Sequence, residues 1–160
     1  MIVNTECQRS AHQLEANVSG AAWYGDSLRE ILDGVTAEQA RAHPIPNAHS
    51  IGEIVAHLNA WVDFFSGAVQ GIAIPPWPTM PKEQDWPPVA TGDDEAWRAT
   101  VRSLLENHVA FAKRIEHFGD ERLDSAVPGR TYSFRQMFQS ASLHAVYHAG
   151  QIALLKKMLA

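Results

Sequence analysis

Six prolines, Pro75, Pro76, Pro78, Pro81, Pro87 and Pro88, crowd into the stretch between Gly71 and Gly92. Proline lacks the backbone donor and its ring clashes with the preceding helical turn. The stretch is therefore read as non-helical, and it is long for a connection inside a compact domain. On both sides of it the apolar residues recur with helical spacing, without alternating apolar and polar runs and without internal repeats. The chain is expected to be all-α, with the proline stretch as a crossover. A helix of about 20 residues is roughly 30 Å long and an extended linker of this length reaches about twice that, so the crossover can return along a whole helix and leave its two neighbours parallel. Trp77, Met80 and Trp86 give it apolar side chains to pack on the helices. A linker between two domains fits less well, because 160 residues, 46% of them hydrophobic, suit one domain over residues 1–160 with one sizeable core.

Four long helices follow from the apolar spacing. The first runs from about Val3 to Val18 with Cys7, Ala11, Leu14 and Val18 on one stripe, and continues beyond a break near Gly20 and Gly25 as Ser27–Asp33. That stripe makes Cys7 a core residue rather than a nucleophile. Thr36 and Gln39 form a capping box for one short turn before Pro44 and Pro46. Ser50 and Glu53 form another, opening a helix from Ile51 to about Gln70 with Ile54, Leu58, Trp61 and Phe65 on its apolar face. The third helix begins at Asp93 and Asp94 and ends before Gly119. The last starts at Phe134 behind a Ser133–Gln136 box and carries Lys156 and Lys157 where they suit its dipole. This pattern reads as a four-helix bundle with one long crossover between helices two and three.

Composition narrows the function classes. With 13 basic and 18 acidic residues the net charge is −5, which does not favour a nucleic-acid backbone as partner. Apolar runs are short and the N-terminus is polar, so neither a membrane span nor a signal peptide is expected and the protein is read as cytoplasmic. One cysteine excludes an internal disulfide and a thiolate-rich cluster, whereas eight histidines offer imidazole. Any metal site must be built on His.

His144 and His148 stand four apart on the last helix, about 40° and roughly 6 Å from one another, on or beside the buried stripe of Phe134, Ala141 and Leu155. Each buried ring brings a donor and an acceptor out of water at a cost of about 1–3 kcal/mol per unsatisfied group. A shared cation would satisfy both; hydrogen-bonded core histidines are the alternative. The zinc-protease pattern is excluded, because its general-base Glu would stand at Ala145. A third ligand must come from another helix, and the candidates are His57 and His108, with His57 preferred because it lies one turn from both Glu53 and Trp61. Glu53 reads either as a helix cap or as a carboxylate facing the histidines, and His108 either as a core histidine or as a pocket-lining one. His49, Trp61, Tyr147 and Gln151 are further candidates for the pocket or for supporting the ligands. His12, His43, His49 and His117 lie at boundaries or on mixed faces and read as surface residues, His49 beside the helix cap.

At these residues the chain resembles the DinB/YfiT-like family, classed as metalloenzymes, over nearly its whole length. Ala22-Trp-Tyr-Gly-Asp-Ser-Leu28 resembles the break in that family's first helix, although Tyr24 stands where a His after the Trp is expected. His49-Ser-Ile-Gly-Glu-Ile-Val-Ala-His-Leu-Asn-Ala-Trp61 resembles its first ligand motif, and His144-Ala-Val-Tyr-His-Ala-Gly-Gln-Ile152 its second. The resemblance implies a four-helix bundle of up-down-down-up type, a homodimer, and a divalent metal held by His57, His144 and His148. It also implies a reaction class. Some members are S-transferases or isomerases that use bacillithiol, mycothiol or a related low-molecular-weight thiol; others are labelled metal-dependent hydrolases. The expectation is a small-molecule enzyme in which Zn²⁺ or Ni²⁺ activates a thiol for transfer to an electrophile. The alternatives are hydrolysis by metal-activated water, or a non-catalytic stress protein that binds a metal or ligand, its coordination closed by Glu53 or His49.

Overall fold

A computed structural model describes residues 5–76, 79–89 and 92–160. Among them the chain is all-helical, with one isolated backbone bridge between Ala126 and Ser133 and no strand. The elements are α1 (Glu6–Val18), α2 (Leu28–Leu32), α3 (Ala37–Arg41), α4 (Ile51–Val69), α5 (Lys82–Asp85), α6 (Asp94–Glu116), a 3₁₀ turn (Asp120–Arg122) and α7 (Phe134–Met158). No helix among the described residues is long and apolar enough to cross a membrane.

Local chemistry sets most of these boundaries. Capping boxes open α3 (Thr36, Gln39), α4 (Ser50, Glu53) and α7 (Ser133, Gln136), and two more open α1 (Thr5, Gln8) and α2 (Ser27, Glu30). The expected start of the first helix at Val3 lies outside the described residues, as does Trp77 in the crossover. The piece expected over Ser27–Asp33 is the separate helix α2, with Ser27 and Asp33 as its caps. One expectation is corrected: the proline stretch does contain a helical turn, α5. Pro81 is its N-cap, where a missing N–H costs no hydrogen bond, and Lys82 to Asp85 are free of proline.

The four long helices share one apolar core. α1 packs on α6 and α7, α4 packs on the same two, and the short α2, α3 and α5 lie against these helices. A relay of rings crosses the interior, from Phe65 on α4 to Phe111 on α6 at 5.9 Å and on to Phe138 on α7 at 6.1 Å. Cys7 belongs to this core. Burial first, then the Asp120 carboxylate, pushes its thiol up to about 12, so it is inert at neutral pH.

Polar ties fix the ends of the elements. The Asp120 carboxylate accepts from the Glu6 and Cys7 N–H groups at 2.8 and 2.9 Å, negative charge at the positive end of α1. The Asn17 amide donates to the Ser142 hydroxyl across 2.6 Å, joining α1 to α7 inside the core. Lys156, placed by its position for the dipole of its own helix, instead donates to the carbonyls of Ile31 and Asp33 at 2.9 and 2.6 Å and so caps α2. The crossover is anchored by the Ile74 N–H donating to the Pro128 carbonyl at 3.1 Å, by buried Ile74 and Met80, and by the close approach of Gly129. Gly129 has φ +75°, and a Cβ there would lie 2.7 Å from the Ile74 carbonyl oxygen.

Gly129→Ala meets both the left-handed backbone and that oxygen, so it is expected to lower stability by about 1–3 kcal/mol in urea unfolding. A variant as stable as the wild type would show that the two segments do not meet this closely.

Candidate metal centre

The Ser50 cap starts α4 so that His57, about two turns on, faces α7 and the crossover. The ring is held on its Nδ1 side by the Asp85 backbone carbonyl, 2.7 Å away. A carbonyl only accepts, so Nδ1 carries the proton and the lone pair of neutral His57 is on Nε2. The Asp85 carboxylate lies 3.3 Å from the same Nδ1 and accepts from the Trp61 indole N–H at 2.7 Å. Trp86 lies flat on the His57 ring at 4.0 Å, and His49 lies flat on the opposite face of Trp86 at 3.5 Å.

On α7, the His148 Nδ1–H donates to the Gln151 side-chain oxygen at 2.6 Å, which leaves the His148 lone pair on Nε2. His144, one turn earlier, places its Nε2 2.9 Å from the His57 Nε2, close enough for the His144 N–H to donate to that lone pair. One ligand atom from each of His57, His144 and His148 lies within 4.8 Å of the others, a three-imidazole cluster from two helices.

Burial keeps these rings neutral. Loss of water pushes His144 down to about 3, aided by His148 and His57 nearby, and pushes His148 down to about 4 against the Gln151 bond. His57 is lowered too, burial outweighing the opposite pull of Asp85, so a neutral ring donates its Nδ1–H to Asp85 and the contact is not an ion pair. Neutral imidazole is the form that binds a metal, and the lone pairs of His57 and His148 are already fixed on Nε2. In a tetrahedral site with Zn–N near 2.0–2.1 Å, neighbouring ligand nitrogens stand roughly 3.3 Å apart. The donor set therefore fits a divalent ion that takes nitrogen ligands.

The remaining sequence candidates fall elsewhere. Glu53 accepts from the Ser50 N–H at 2.7 Å and meets His43 and His49 at 3.1 and 3.4 Å. Burial raises its pKa, but these partners prevail and hold it below the usual range. Its carboxylate serves the helix cap, and Trp86 stands between His49 and His57, so neither Glu53 nor His49 joins the cluster. His108 is buried on α6 and donates to the Leu104 carbonyl at 2.8 Å. It does not line the cavity over the cluster. His12, His43, His49 and His117 are exposed.

A cavity of about 930 Å³ opens over the three histidines. Ile54, Phe65, Met137 and Leu155 form apolar wall, and Tyr147 and Leu154, mostly exposed, lie toward its mouth. Sequence reasoning missed Gln136 and Ser140, although both precede His144 at four-residue intervals on α7 and so share its face. Tyr132 and Asp85 also line the cavity; they sit in loops or at a loop junction, where no periodicity marks them.

A family model for the DinB superfamily matches residues 22–152 of the chain. No curated protein and no solved structure matches it. The family match takes in most of the chain and all three clustered histidines, and the chain belongs to the DinB superfamily.

Proposed function

We propose that this single-domain protein is a divalent-metal-dependent enzyme, with His57, His144 and His148 as ligands and an up-down-down-up four-helix bundle as scaffold. The observation that carries the reading is the convergence of three neutral imidazoles beneath a cavity, two of them locked by Asp85 and Gln151 with the lone pair on Nε2. Contacts support the helix directions. Asn59 and Phe65 meet Asn107 and Phe111 in the same order along α4 and α6, which supports a parallel pair; Glu6 and Asn17 meet Arg135 and Ser142 in the same order along α1 and α7. His57 and Trp61 of α4 meet α7 in the opposite sense, at His148 and His144.

Bound Zn²⁺ or Ni²⁺ would supply Lewis acidity and open coordination positions to the cavity. The chain's own groups bind and orient: Asp85 and Gln151 fix the ligand rings, and Trp86 shields one face of His57 from water. Among the described lining residues no free carboxylate is placed as a general base, since Asp85, the one carboxylate there, is bonded to Trp61; Glu53 lies outside the cavity and serves the helix cap. This favours a cosubstrate that ionises readily, a low-molecular-weight thiol transferred to an electrophile, over hydrolysis. In this reading the protein works in the cytoplasm on small molecules, without nucleic acid or membrane partners. The exposed stripe of Leu143, Tyr147, Leu154 and Met158 on α7 supports a homodimer.

Protein purified without an affinity tag is expected to carry about one equivalent of Zn or Ni per chain. His144→Ala should lose it, and Gln151→Leu should weaken it by about 10–100-fold while circular dichroism stays native. Wild-type protein that neither holds nor takes up metal would refute the centre. Metal-loaded protein should conjugate glutathione, bacillithiol or mycothiol to chlorodinitrobenzene, the thiol sulfur replacing chloride as a proton is released. Turnover should exceed that of His144→Ala by about a hundredfold, some 2.7 kcal/mol of barrier; no turnover with any of these thiols would rule out the transferase reading. Light scattering should give a dimer mass that falls to the monomer in Leu143→Glu/Leu154→Glu; a monomeric wild type would remove the dimer.

A further inference from the structure

The cavity over the three histidines is poor in charged side chains. Among the described residues that line it, none is Lys or Arg, and Asp85 is its one carboxylate. No Lys or Arg stands at the positions outside the described residues either. The lack of cations extends to the helices behind the wall. α4 has no Lys or Arg over its whole length. Of the cations on α7, Arg135 pairs with Glu6 and Asp124 and Lys156 is bound to the carbonyls that end α2. Lys157 is exposed and is not part of the wall. Facing the space instead are the rings of Trp61, Phe65, Trp86, Tyr132 and Tyr147, with Gln136 and Ser140 as neutral hydrogen-bonding groups.

From this we infer that the cavity takes an uncharged aromatic or alicyclic molecule and discriminates against ligands that carry a carboxylate, sulfonate or phosphate. Rings offer stacking and edge contacts to a flat apolar ligand. An anionic group placed on the same wall loses its water and gains no cation in return, and faces the Asp85 carboxylate as well. In the transfer reaction proposed above, this molecule is the electrophilic acceptor, and of the three thiols the same wall favours mycothiol, which carries no carboxylate, over glutathione and bacillithiol. The inference rests on the reading of this cavity as the ligand site, but not on the metal, because it concerns the wall rather than the histidines. Arg130 is the one nearby feature that argues the other way. Its Nε and Nη2 are buried without a hydrogen-bond partner and its charge is felt at Tyr132, yet it is not among the lining residues.

The test uses dansylamide and dansyl sulfonate, two fluorophores of the same ring system and nearly the same shape that differ by one charge. Binding is read by energy transfer from tryptophan, with protein as purified and after chelator treatment. In chelated protein the amide is expected to bind at least about tenfold more tightly than the sulfonate, equivalent to roughly 1.4 kcal/mol. Ser140 is exposed on the cavity wall, so substitutions there leave the core intact. Ser140→Arg should narrow the preference by strengthening the sulfonate, and Ser140→Trp should remove the amide by filling the space. Equal or tighter binding of the sulfonate by the wild type would overturn the inference and point to Arg130 as an anion anchor. Amide binding untouched by Ser140→Trp would also overturn it, since the dye would then lie elsewhere. Failure of the metal reading would show instead as absent metal uptake with the amide preference intact.

Discussion

The bond from the His57 Nδ1–H to the Asp85 backbone carbonyl joins three levels of the structure. It ties the crossover to α4, fixes which nitrogen of His57 keeps its lone pair, and seats Trp86 flat against the ring. The acceptor is main chain, so its position depends on the path of the crossover rather than on a rotamer. That path is set in turn by the Ile74–Pro128 bond, the buried Met80 and the glycine that lets residue 129 lie against residue 74. A remote backbone contact between two loops thus bears on the orientation of a ring in the candidate site.

Burying imidazoles in an apolar wall is costly unless each nitrogen has a partner, and the arrangement answers this for one nitrogen of each buried ring. His57 uses the Asp85 carbonyl, His148 the Gln151 amide and His108 its own helix at Leu104. Two Nε2 atoms then share one proton across 2.9 Å. Such a pair lacks a third partner for the His148 Nε2, and the whole set remains neutral because desolvation dominates every shift. A cation gives each lone pair a common target, which is why this cluster reads as a ligand set and His108, satisfied on Nδ1 and away from the cavity, does not.

Much of this was legible in the sequence because helices write their faces into it. The i, i+4 spacing of His144 and His148 put both rings on one side of α7, and the Ser-x-x-Glu pattern at Ser50 both started α4 and gave Glu53 its occupation. The choice of His57 over His108 rests on its neighbours Glu53 and Trp61; the structure brings His57 to the pair, with Trp61 linked to it through Asp85 and by an edge-on ring contact at 6.2 Å. Asp85 was beyond reach for a physical reason. Its role depends on where a proline-rich segment crosses a helix more than 20 residues earlier in the chain, and such tertiary paths leave no periodicity. The one turn of α5 was hidden by the same prolines, since a short gap between them, Lys82 to Asp85, was enough for a single capped turn.

The three rings are not held alike, and this asymmetry bears on how the site could work. His57 and His148 are buried, and each has its Nδ1 bonded, so their lone pairs are aimed before any ligand arrives. His144 is only half-buried and lies toward the solvent side of α7 between Leu143 and Tyr147, which are both exposed. Among the described residues its Nδ1 has no hydrogen-bond partner to fix the ring. Two fixed donors and one adjustable donor allow the cluster to exist as a proton-sharing pair or as a converging set without moving a helix, because only one side chain must turn. Rigidity therefore resides in the positions set by backbone and core, and adaptability in the one ring whose Nδ1 is not bonded.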